Sequence, residues 1–437
     1  MSIPTRSLRL RAGLLHHLRR ALALSVVSGA SVLVAQPGVR LGLLYGEGGS
    51  RPGIYVLPVA GAAGDSLRSI VMRDLDFSDR VTVLPKSTAL ATPAGSAPID
   101  YAAAMRLGIN GVVQLTPVAG GTNIVLYDVG AKQVLQRRTV ALSGTLNSAA
   151  WRMAVHGISD LCEEWISGER GIAATKLAYV ADGRIWLVDS DGANATSLTA
   201  AGRALSPNFH PNGQSLVYAA LEPAGSAIYV SDLRGSTRRV VPPSGLNISP
   251  TFTPNGASIA YAHGDDFGTE LYLVAASGGI PRRISIGRGS DNTSPTFSPD
   301  GRRIAFTSGR SGRPDVYIAD DDGTNADVLA ALSSASQGYR SSPDWSPDGR
   351  AVVFQSQLGG RFQTMVITLR DRVVKQLTTE GANEDPAWAP DARHVVVSST
   401  RSGGRQLWVI DTETGRARQL TSAGGARLAA WSSRLVR

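Results

Sequence analysis

The chain contains few residues whose type and spacing would support catalysis. It has no Gly-x-Ser-x-Gly segment, so the sequence does not predict the nucleophile elbow of a serine hydrolase. The six histidines never occur four residues apart, as they would in a helical zinc site, and Cys162 is the only cysteine. Because Cys162 lies in a run with helical periodicity, we expect its thiol in a core. The sequence therefore predicts no enzyme, no cofactor and no metal centre.

Two acidic turns, Asp189–Gly192 and Asp320–Gly323, resemble the start of a calcium-binding loop. Neither is followed by the bidentate glutamate of such a loop, and both fall where a hairpin turn recurs in the chain. We therefore interpret both as solvated turns, and we expect the Glu163-Glu164 pair on a solvated face. The glycine-rich stretch Gly46–Gly53 lacks the Gly-Lys-Ser/Thr of a phosphate loop and contains an acid, which favours a flexible connection.

The distribution of charge argues against a nucleic-acid partner. The chain has 437 residues and a formal net charge of +9. Residues 1–35 contain five arginines and no acid, so more than half of the net charge lies there. The other basic residues are scattered, whereas a nucleic-acid-binding domain concentrates them on one patch. The 48 glycines and 23 prolines indicate many turns and short strands.

Residues 1–35 have the pattern of a secretory signal peptide. A basic stretch ends at Arg20, an uncharged apolar run covers residues 21–34, and small residues close it. The apolar run is short for a membrane-spanning helix, although an N-terminal anchor helix is the alternative interpretation. We therefore expect a soluble, exported protein that does not insert into a membrane after signal removal. We also expect it to be a monomer.

A repeated segment organises the second half of the chain. The pattern Ser-Pro-x-aromatic-x-Pro-Asp/Asn-Gly begins at Ser206, Ser249, Ser294 and Ser342, and a variant begins at Asp385. The first prolines of successive copies are 43, 45, 48 and 43 residues apart. Each copy continues with two runs of β-forming residues and a third, more polar run. Four strands in each unit of this length are typical of a β-propeller blade.

The ends of the repeat array predict how the ring closes. The last copy stops after one strand, at residues 430–432, and three strands that lack a first strand precede the array at residues 177–199. We expect these four strands to form one shared sheet. Five complete blades and one shared blade then make a six-bladed propeller without free sheet edges.

Residues 36–170 alternate predicted strands and helices. We expect strands at Gly38–Gly46, Ile54–Val59, Val81–Leu84, Gly111–Leu115, Asn123–Val129 and Gln133–Ala141, and helices at Asp65–Phe77 and Pro98–Leu107. Asn147 is the expected N-cap of a third helix, which continues through Ile166. This alternation predicts a small α/β domain, which a glycine-containing linker at Ser167–Thr175 joins to the propeller in residues 171–437. The predicted fold class is an α/β N-terminal domain followed by an all-β six-bladed β-propeller with a shared closing blade.

The loops that lead into the innermost strands are expected to line one mouth of the propeller channel. They are rich in Asn, Ser, Thr and Arg and contain no fixed acid–base pair, which suits a docking surface for a macromolecule. The alternative is that these residues only form turns. The residues predicted to bind a partner at this mouth are Leu246, Asn247, Ser249, Asn292, Thr293, Tyr339, Arg340, Asn383 and Glu384.

The repeats behind an exported α/β domain resemble the TolB family of Gram-negative periplasmic proteins. The resemblance covers nearly all of the chain after residue 35. Its motifs are Val39–Leu43, Arg51–Pro58, Leu107–Val113, Lys176–Val180 and Ala429–Ser432. The chain departs from the family pattern at Ala429 and Ser433, where proline is usual, and at Lys176, where arginine is common.

The resemblance implies a non-enzymatic role in the Tol-Pal system, which supports outer-membrane integrity and constriction during cell division. In the family the propeller binds the peptidoglycan-associated lipoprotein Pal, at positions that match Leu246, Asn247, Asn292 and Thr293 of this chain. The family's N-terminal segment binds the C-terminal domain of TolA. The matching residues here are Val39, Arg40, Leu41, Leu43 and Tyr45. The alternative function is a propeller module that binds peptides or polysaccharide, accessory to a peptidase.

Overall fold

A computed structural model describes residues 51–88, 90, 99–200, 202–285, 290–329 and 338–436. The predicted signal peptide, the predicted strand Gly38–Gly46 and the predicted N-terminal binding residues Val39, Arg40, Leu41, Leu43 and Tyr45 lie outside these ranges. Within these ranges, no helix combines the length and the apolar character needed to cross a bilayer.

The described residues up to Ser167 form an α/β structure. Its elements are β1 (Gly53–Val56), α1 (Gly61–Phe77), β2 (Thr82–Val83), α2 (Tyr101–Arg106), β3 (Gly111–Val118), β4 (Gly121–Asp128), β5 (Gln133–Ala141) and α3 (Ala149–Ser167). The strands lie in the order β2-β1-β3-β4-β5. Strand β1 pairs in parallel with β2 and β3, whereas β3, β4 and β5 form an antiparallel meander. The predicted α/β class is confirmed.

Two hydrophobic clusters cover the two faces of this sheet. Helices α1 and α3 pack on one face, where apolar residues such as Leu67, Val71, Val155 and Ile158 recur at helical spacing and are buried. On the other face, α2 contributes the buried Ala104 to the second cluster. The two clusters fix the sheet between layers of helix, which is how a sheet with two apolar faces becomes stable.

The N-cap of helix α3 lies one residue later than the sequence predicts. Asn147 is not its N-cap and instead has φ +62°. The cap is Ser148, whose Oγ accepts a hydrogen bond from the Trp151 amide at 3.3 Å. A hydroxyl can satisfy this free amide as well as a carboxamide can, so neighbouring Asn and Ser residues cannot be distinguished by type alone. Cys162, further along α3, is buried in the core as predicted.

The predicted linker Ser167–Thr175 is held tightly against α3. The buried Asp160 carboxylate accepts hydrogen bonds from the amides of Ala173 (2.6 Å) and Ala174 (3.0 Å). These two bonds fix the direction in which the chain enters the propeller. The predicted domain boundary between residues 170 and 171 falls inside this fixed segment and stays a prediction.

Six four-stranded antiparallel sheets follow, and each is one blade of a β-propeller. The closing blade contains β6 (Lys176–Ala181), β7 (Arg184–Asp189) and β8 (Thr196–Ser197). Blade 1 contains β9 (Ala204–Phe209), β10 (Ser215–Glu222), β11 (Gly225–Asp232) and β12 (Thr237–Val241). Blade 2 contains β13 (Leu246–Phe252), β14 (Ser258–Asp265), β15 (Gly268–Ala275) and β16 (Arg282–Arg283).

The remaining blades have the same arrangement. Blade 3 contains β17 (Thr293–Phe297), β18 (Arg303–Ser308), β19 (Asp315–Asp320) and β20 (Asp327–Val328). Blade 4 contains β21 (Arg340–Trp345), β22 (Ala351–Leu358), β23 (Arg361–Thr368) and β24 (Val374–Gln376). Blade 5 contains β25 (Asn383–Trp388), β26 (His394–Ser402), β27 (Gly404–Asp411) and β28 (Ala417–Gln419), and β29 (Arg427–Trp431) returns to the closing blade.

The last strand closes the ring as predicted. Strand β29 pairs antiparallel with β6, with Ala430 opposite Ala178 and Trp431 opposite Leu177. The Trp431 side chain is buried. The closing blade has the order β29-β6-β7-β8, so one sheet joins the two ends of the propeller. The predicted six-bladed propeller with a shared blade is confirmed.

Each innermost strand contains a β-bulge at the same repeat position. At this position φ lies between +46° and +53° in Ser206, Ser249, Ser294, Ser342, Asp385 and Leu428. The register against the next strand shifts at the same place in all six blades. Such a bulge bends the strand and turns its side chains. The prediction of the entry loops is wrong in part, because each of the five strands β9, β13, β17, β21 and β25 already begins within the stretch predicted as its entry loop. The predicted stretches are Arg203–Ser206, Leu246–Ser249, Asp291–Ser294, Tyr339–Ser342 and Asn383–Asp385.

Candidate partner-binding site

The six innermost strands surround a central channel with a cavity of about 380 Å³. Serine and proline from blades 1 to 4 line it, because their innermost strands carry the same Ser-Pro-x-aromatic segment at the bulge; blade 5 contributes Asp385–Trp388 and the closing blade contributes Leu428–Trp431. The aromatic residues of these segments, such as Phe252 and Trp345, are buried in the clusters between blades. The repeat therefore brings hydroxyl groups and prolines to the channel, while its aromatic residues both border the channel and pack against the neighbouring blade.

In blades 2 to 5, a side chain two residues before the bulge joins the blade to the preceding one. In three blades an asparagine amide donates to an acceptor there: Asn247 to the Ser226 carbonyl (2.5 Å), Asn292 to Glu270 Oε2 (3.0 Å), and Asn383 to Gln363 Oε1 (3.0 Å). The amide oxygens are engaged on their own blades by His263 Nδ1 (2.8 Å), Arg310 (3.4 Å) and Arg401 (3.0 Å), respectively. These asparagines are buried completely.

Arg340 takes the same position in blade 4. Its guanidinium donates to both oxygens of Asp315 on blade 3, at 3.0 and 3.2 Å, and both residues are buried. A charge pair here replaces the amide contact of the other blades. We call Asn247, Asn292, Arg340 and Asn383 the inter-blade staples.

The staples were predicted to contact a partner, but the structure places their side chains behind the surface of the mouth. Their polar atoms are used within the protein, because a buried amide or charge without a partner is destabilising by several kcal/mol. Their position ahead of the innermost strands suggested a surface loop, whereas the strands already begin there. The staple side chains therefore lie beneath the mouth, and whether they contact a partner stays a prediction.

The other predicted residues do reach the surface. Leu246 is 42% exposed and Tyr339 is 41% exposed, whereas Ser249, Thr293 and Glu384 are half-buried. These residues combine apolar, hydroxyl and charged groups around one mouth of the channel. Whether they bind a partner stays a prediction.

Two contacts hold the exposed residues in place. Glu384 makes a two-pronged ion pair with Arg405, with N–O distances of 2.9 and 3.0 Å. The Tyr339 ring packs edge-to-face on Phe362, with their centroids 5.6 Å apart. Both contacts reduce the side-chain freedom that binding would otherwise remove.

Phe267 is an apolar residue at this mouth that the sequence reasoning missed. It is 79% exposed, in the turn between β14 and β15. Leu246 pairs with Gly264, which lies next to this turn, so the side chains of Leu246 and Phe267 lie at the same end of blade 2. An aromatic residue in an Asp-Asp-Phe-Gly turn has no core to fill, and that signal was present in the sequence.

Two carboxyl groups in the channel wall have raised pKa values. Burial raises the pKa of Asp344 to about 6, and burial together with nearby Glu384 raises the pKa of Asp385 to about 6. Asp344 accepts a hydrogen bond from the Trp388 amide at 2.7 Å, and Asp385 accepts one from the Leu428 amide at 3.3 Å. Each carboxyl thus joins two innermost strands, which explains its burial without a catalytic role.

Two buried histidine–carboxylate clusters lie between the α/β part and the propeller, away from the mouth. In the first, His156 Nδ1 lies 2.7 Å from Asp74, and Asp191 binds Arg73 and Arg152. Burial alone would lower the pKa of His156, but the Asp74 carboxylate raises it above its ordinary value. The solvated turn predicted at Asp189–Gly192 is therefore wrong, because this turn is inserted against α1 and α3.

The second cluster joins α1 to blade 5. His394 lies 2.6 Å from Asp391 and 3.3 Å from Asp79, and Arg393 binds Asp411 at 2.6 Å. In both clusters guanidinium groups already neutralise the carboxylates that could otherwise bind a metal ion. The arrangement therefore works as an ion-pair network that joins the two parts of the chain.

Glu163 was predicted on a solvated face, and this prediction is also wrong. Its carboxyl group is buried, and Arg80 Nε lies 3.1 Å from its Oε1. Burial, followed by the repulsion of Asp160, raises the pKa of Glu163 to about 8. Glu163 is buried rather than solvated because it lies on the side of α3 that the linker Ser167–Thr175 covers.

A family model described as the TolB beta propeller domain matches residues 163–435, more than half of the chain. The chain belongs to the TolB beta propeller domain family. This membership confirms the resemblance drawn from the repeats. It also agrees with the closed six-bladed ring and with the repeat position at which the bulges recur.

Curated relatives carry the same family name. The Tol-Pal system protein TolB of Xylella fastidiosa (strain 9a5c) is 29% identical over 229 residues, which cover 49% of this chain and 52% of that protein. The Tol-Pal system protein TolB of Xanthomonas oryzae pv. oryzae (strain PXO99A) is 28% identical over 222 residues, with coverage of 46% and 49%. The chain spans about half the length of the curated relatives it matches.

A solved structure agrees over a longer stretch. The crystal structure of TolB from Acinetobacter baumannii superposes with a TM-score of 0.77 and 25% sequence identity. The superposition covers 88% of this chain and 97% of that one. The similarity therefore extends beyond the propeller into the α/β part.

Proposed function

We propose that this protein is a non-enzymatic docking scaffold of the Tol-Pal system in the periplasm of a Gram-negative cell. The observation that carries this proposal is the mouth of a TolB-family propeller, where buried inter-blade staples support exposed apolar and polar side chains. Relatives with this propeller are named Tol-Pal system proteins. A surface that is already formed loses little conformational entropy on docking, which favours a macromolecular partner.

The partner proposed for the mouth is a Pal-like peptidoglycan-associated lipoprotein. Leu246, Ser249, Thr293, Tyr339 and Glu384 are the proposed contact residues because they reach the surface. The inter-blade staples would act through the strands that they join. Together with the proposed inner-membrane link described next, this contact would help the outer membrane to stay sealed and to follow constriction during division.

The partner proposed for the N-terminal segment is the C-terminal domain of TolA. This part of the proposal rests on the resemblance of residues 39–45 to the family's TolA-binding segment. Export through the predicted signal peptide at residues 1–35 would place both contacts in the periplasm. Removal of residues 39–45 should abolish TolA binding and leave propeller unfolding unchanged. Unchanged TolA binding would contradict this assignment.

Site-directed photo-cross-linking in living cells tests the Pal assignment. A photoreactive amino acid at position 246 should cross-link to a Pal-like lipoprotein, identified by mass spectrometry, when the cells are illuminated. The same amino acid at Thr237, exposed on the outermost strand β12, is the matched control and should give no such product. Cross-linking to peptides or polysaccharide instead would favour the alternative function, a module accessory to a peptidase.

A further inference from the structure

Strand β5 forms one edge of the five-stranded sheet. It covers nine residues, Gln133–Ala141, and pairs only with β4 among the described strands. The opposite edge strand, β2, has two residues and offers little to pair with. A long edge leaves a row of backbone donors and acceptors open, and such edges recruit extended segments of other chains. Strand β5 is therefore the part of this sheet best suited to accept another strand.

A groove of about 430 Å³ runs beside this edge, between β5 and α3. Its walls are mostly apolar and include Val140 on β5 and Met153 and Leu161 on α3. Ala154 and Gly157 lie on the same stretch of α3 and keep the groove open because their side chains are small or absent. A strand added to β5 would place every second side chain above this groove.

One end of the groove already receives main chain and an apolar side chain. Val436 lies there, and its carbonyl accepts a hydrogen bond from Arg170 at 3.1 Å. A Cβ atom on Gly157 would come within 2.9 Å of Val436 Cγ1, so the fit between this residue and α3 is close. The groove is therefore wide enough for a polypeptide segment, and Arg170 supplies a hydrogen-bond donor to its main chain. The rest of the groove is open.

The charges at the groove favour an acidic occupant. The charged residues that line it are Arg138 and Arg170, and no acidic side chain is among the described lining residues. The neighbouring Arg137 is exposed and lies on the opposite face of the sheet, because it pairs with Val125 of the second hydrophobic cluster. Neither Arg137 nor Arg138 makes an ion pair with a described residue. Antiparallel pairing of β5 with β5 of a second copy would bring these arginines together, and like charges across paired strands are destabilising.

We propose that β5 binds an extended segment of a partner protein in which acidic and apolar side chains alternate. The segment would add a sixth strand to the sheet. Its apolar side chains would enter the groove beside α3, and its carboxylates, on the opposite face of the sheet, would pair with the exposed Arg137. This site lies on the α/β part and is independent of the channel mouth.

A synthetic peptide of seven alternating glutamates and valines, labelled with fluorescein, tests this proposal on the full chain. Fluorescence anisotropy should show saturable binding, and a peptide with lysine in place of glutamate should bind at least tenfold more weakly. Arg137→Glu should weaken binding of the glutamate peptide at least tenfold, because it removes a counter-charge on the face of β5 that the glutamates share. Arg106→Glu, an exposed arginine at the end of α2, is the matched control and should change binding less than twofold.

Two further measurements separate the groove from general attraction of charges. Ala154→Phe fills the groove and should also weaken binding at least tenfold without a change of charge. Amide hydrogen exchange should slow in residues 133–141 when the peptide binds, because the edge amides gain partners. Absence of peptide binding, equal binding by Arg137→Glu, or slowed exchange only outside β5 would overturn the proposal. None of these results bears on binding at the channel mouth.

Discussion

Trp431 Nε1 donates a hydrogen bond to Thr175 Oγ1 over 2.8 Å, although 256 residues separate them in the chain. Thr175 precedes the first strand of the closing blade and Trp431 ends its last strand, so this buried bond spans the point at which the ring closes. Two backbone-directed contacts support it: Ser432 N donates to the Lys176 carbonyl at 2.9 Å, and Ser432 Oγ accepts from Lys176 N at 2.9 Å.

The closing contact should matter for stability. We expect Trp431→Ala to lower the free energy of unfolding by about 3–5 kcal/mol, because it removes a buried indole and leaves a cavity. Thr175→Val should cost about 1–2 kcal/mol, because the indole N–H loses its acceptor. Urea denaturation measures both, with Thr237→Val on the exposed face of β12 as the control. A loss below about 1 kcal/mol for Trp431→Ala would contradict this account of closure.

The charged staple between blades 3 and 4 allows a test by double substitution. Arg340→Met should destabilise the protein by about 3–5 kcal/mol, because Asp315 stays buried without its counter-charge. The double variant Arg340→Met with Asp315→Leu should recover most of that loss, since it buries no charge. Thermal and urea unfolding would measure the recovery. Equal losses in the single and double variants would show that the charge pair is not what joins the blades.

A substitution at the mouth should separate docking from folding. Thr293→Arg adds a bulky charge to a half-buried surface position, so we expect at least a tenfold loss of affinity for the soluble domain of a Pal-like lipoprotein. The thermal midpoint should hardly change, because surface substitutions usually alter stability by about 0.5 kcal/mol or less. Titration calorimetry gives the affinity, with Thr237→Arg as the matched control. A large drop in the thermal midpoint would show that Thr293 has a structural role.

The contact between α1 and blade 5 should depend on pH. Burial opposes protonation of His394, but the carboxylates of Asp391 and Asp79 outweigh it and raise the histidine pKa to about 9. The folded state therefore binds this proton more tightly than the unfolded state, whose histidine pKa is about 6.5. The resulting stabilisation, of the order of 3 kcal/mol, is complete below about pH 6.5 and is lost as pH rises to about 9.

The variant His394→Gln isolates this contribution. It should be less stable than the wild type at pH 6, and the difference should shrink steadily up to pH 9. Urea denaturation at a series of pH values measures the difference, with His210→Gln as a control because His210 is partly exposed on the propeller. A difference that stays constant between pH 6 and 9 would contradict the raised pKa.

Two glycines have the same backbone conformation but different surroundings, so substitutions there separate the cost of backbone strain from the cost of a steric clash. Gly312 and Gly323 have φ of +87° and +86°, which side-chain-bearing residues rarely adopt. A Cβ atom at Gly323 would lie 1.7 Å from the Ile284 carbonyl oxygen, whereas one at Gly312 would have no atom within 4 Å. We expect Gly312→Ala to cost about 1 kcal/mol and Gly323→Ala about 2 kcal/mol more. Urea denaturation measures both costs. Equal costs would mean that the main chain at Ile284 moves away from the added Cβ atom without a loss of stability.

The candidate site shows where inference from the sequence stopped. The repeat position of Asn247, Asn292, Arg340 and Asn383 was recognised, and a polar residue at a strand entry was interpreted as surface. Whether a side chain at this position is buried depends on how closely the preceding blade packs against it. Residue type cannot report this, because an amide that bonds to a preceding blade and an amide that faces solvent look identical in a sequence. Exposed Phe267, by contrast, was detectable from its turn.

The sequence alone determined the blade length, the number of blades and the pairing of the last strand with the first three. These features depend on local strand propensity and on a segment that occurs several times in the chain. Each copy of the segment predicts the same strands, so the copies support one another. The tertiary structure decided the ion-pair network between α1, α3 and the propeller, the burial of Asp191 and Glu163, and the staples. These depend on contacts between residues far apart in the chain, where the energy of a charge is set by the neighbours that surround it.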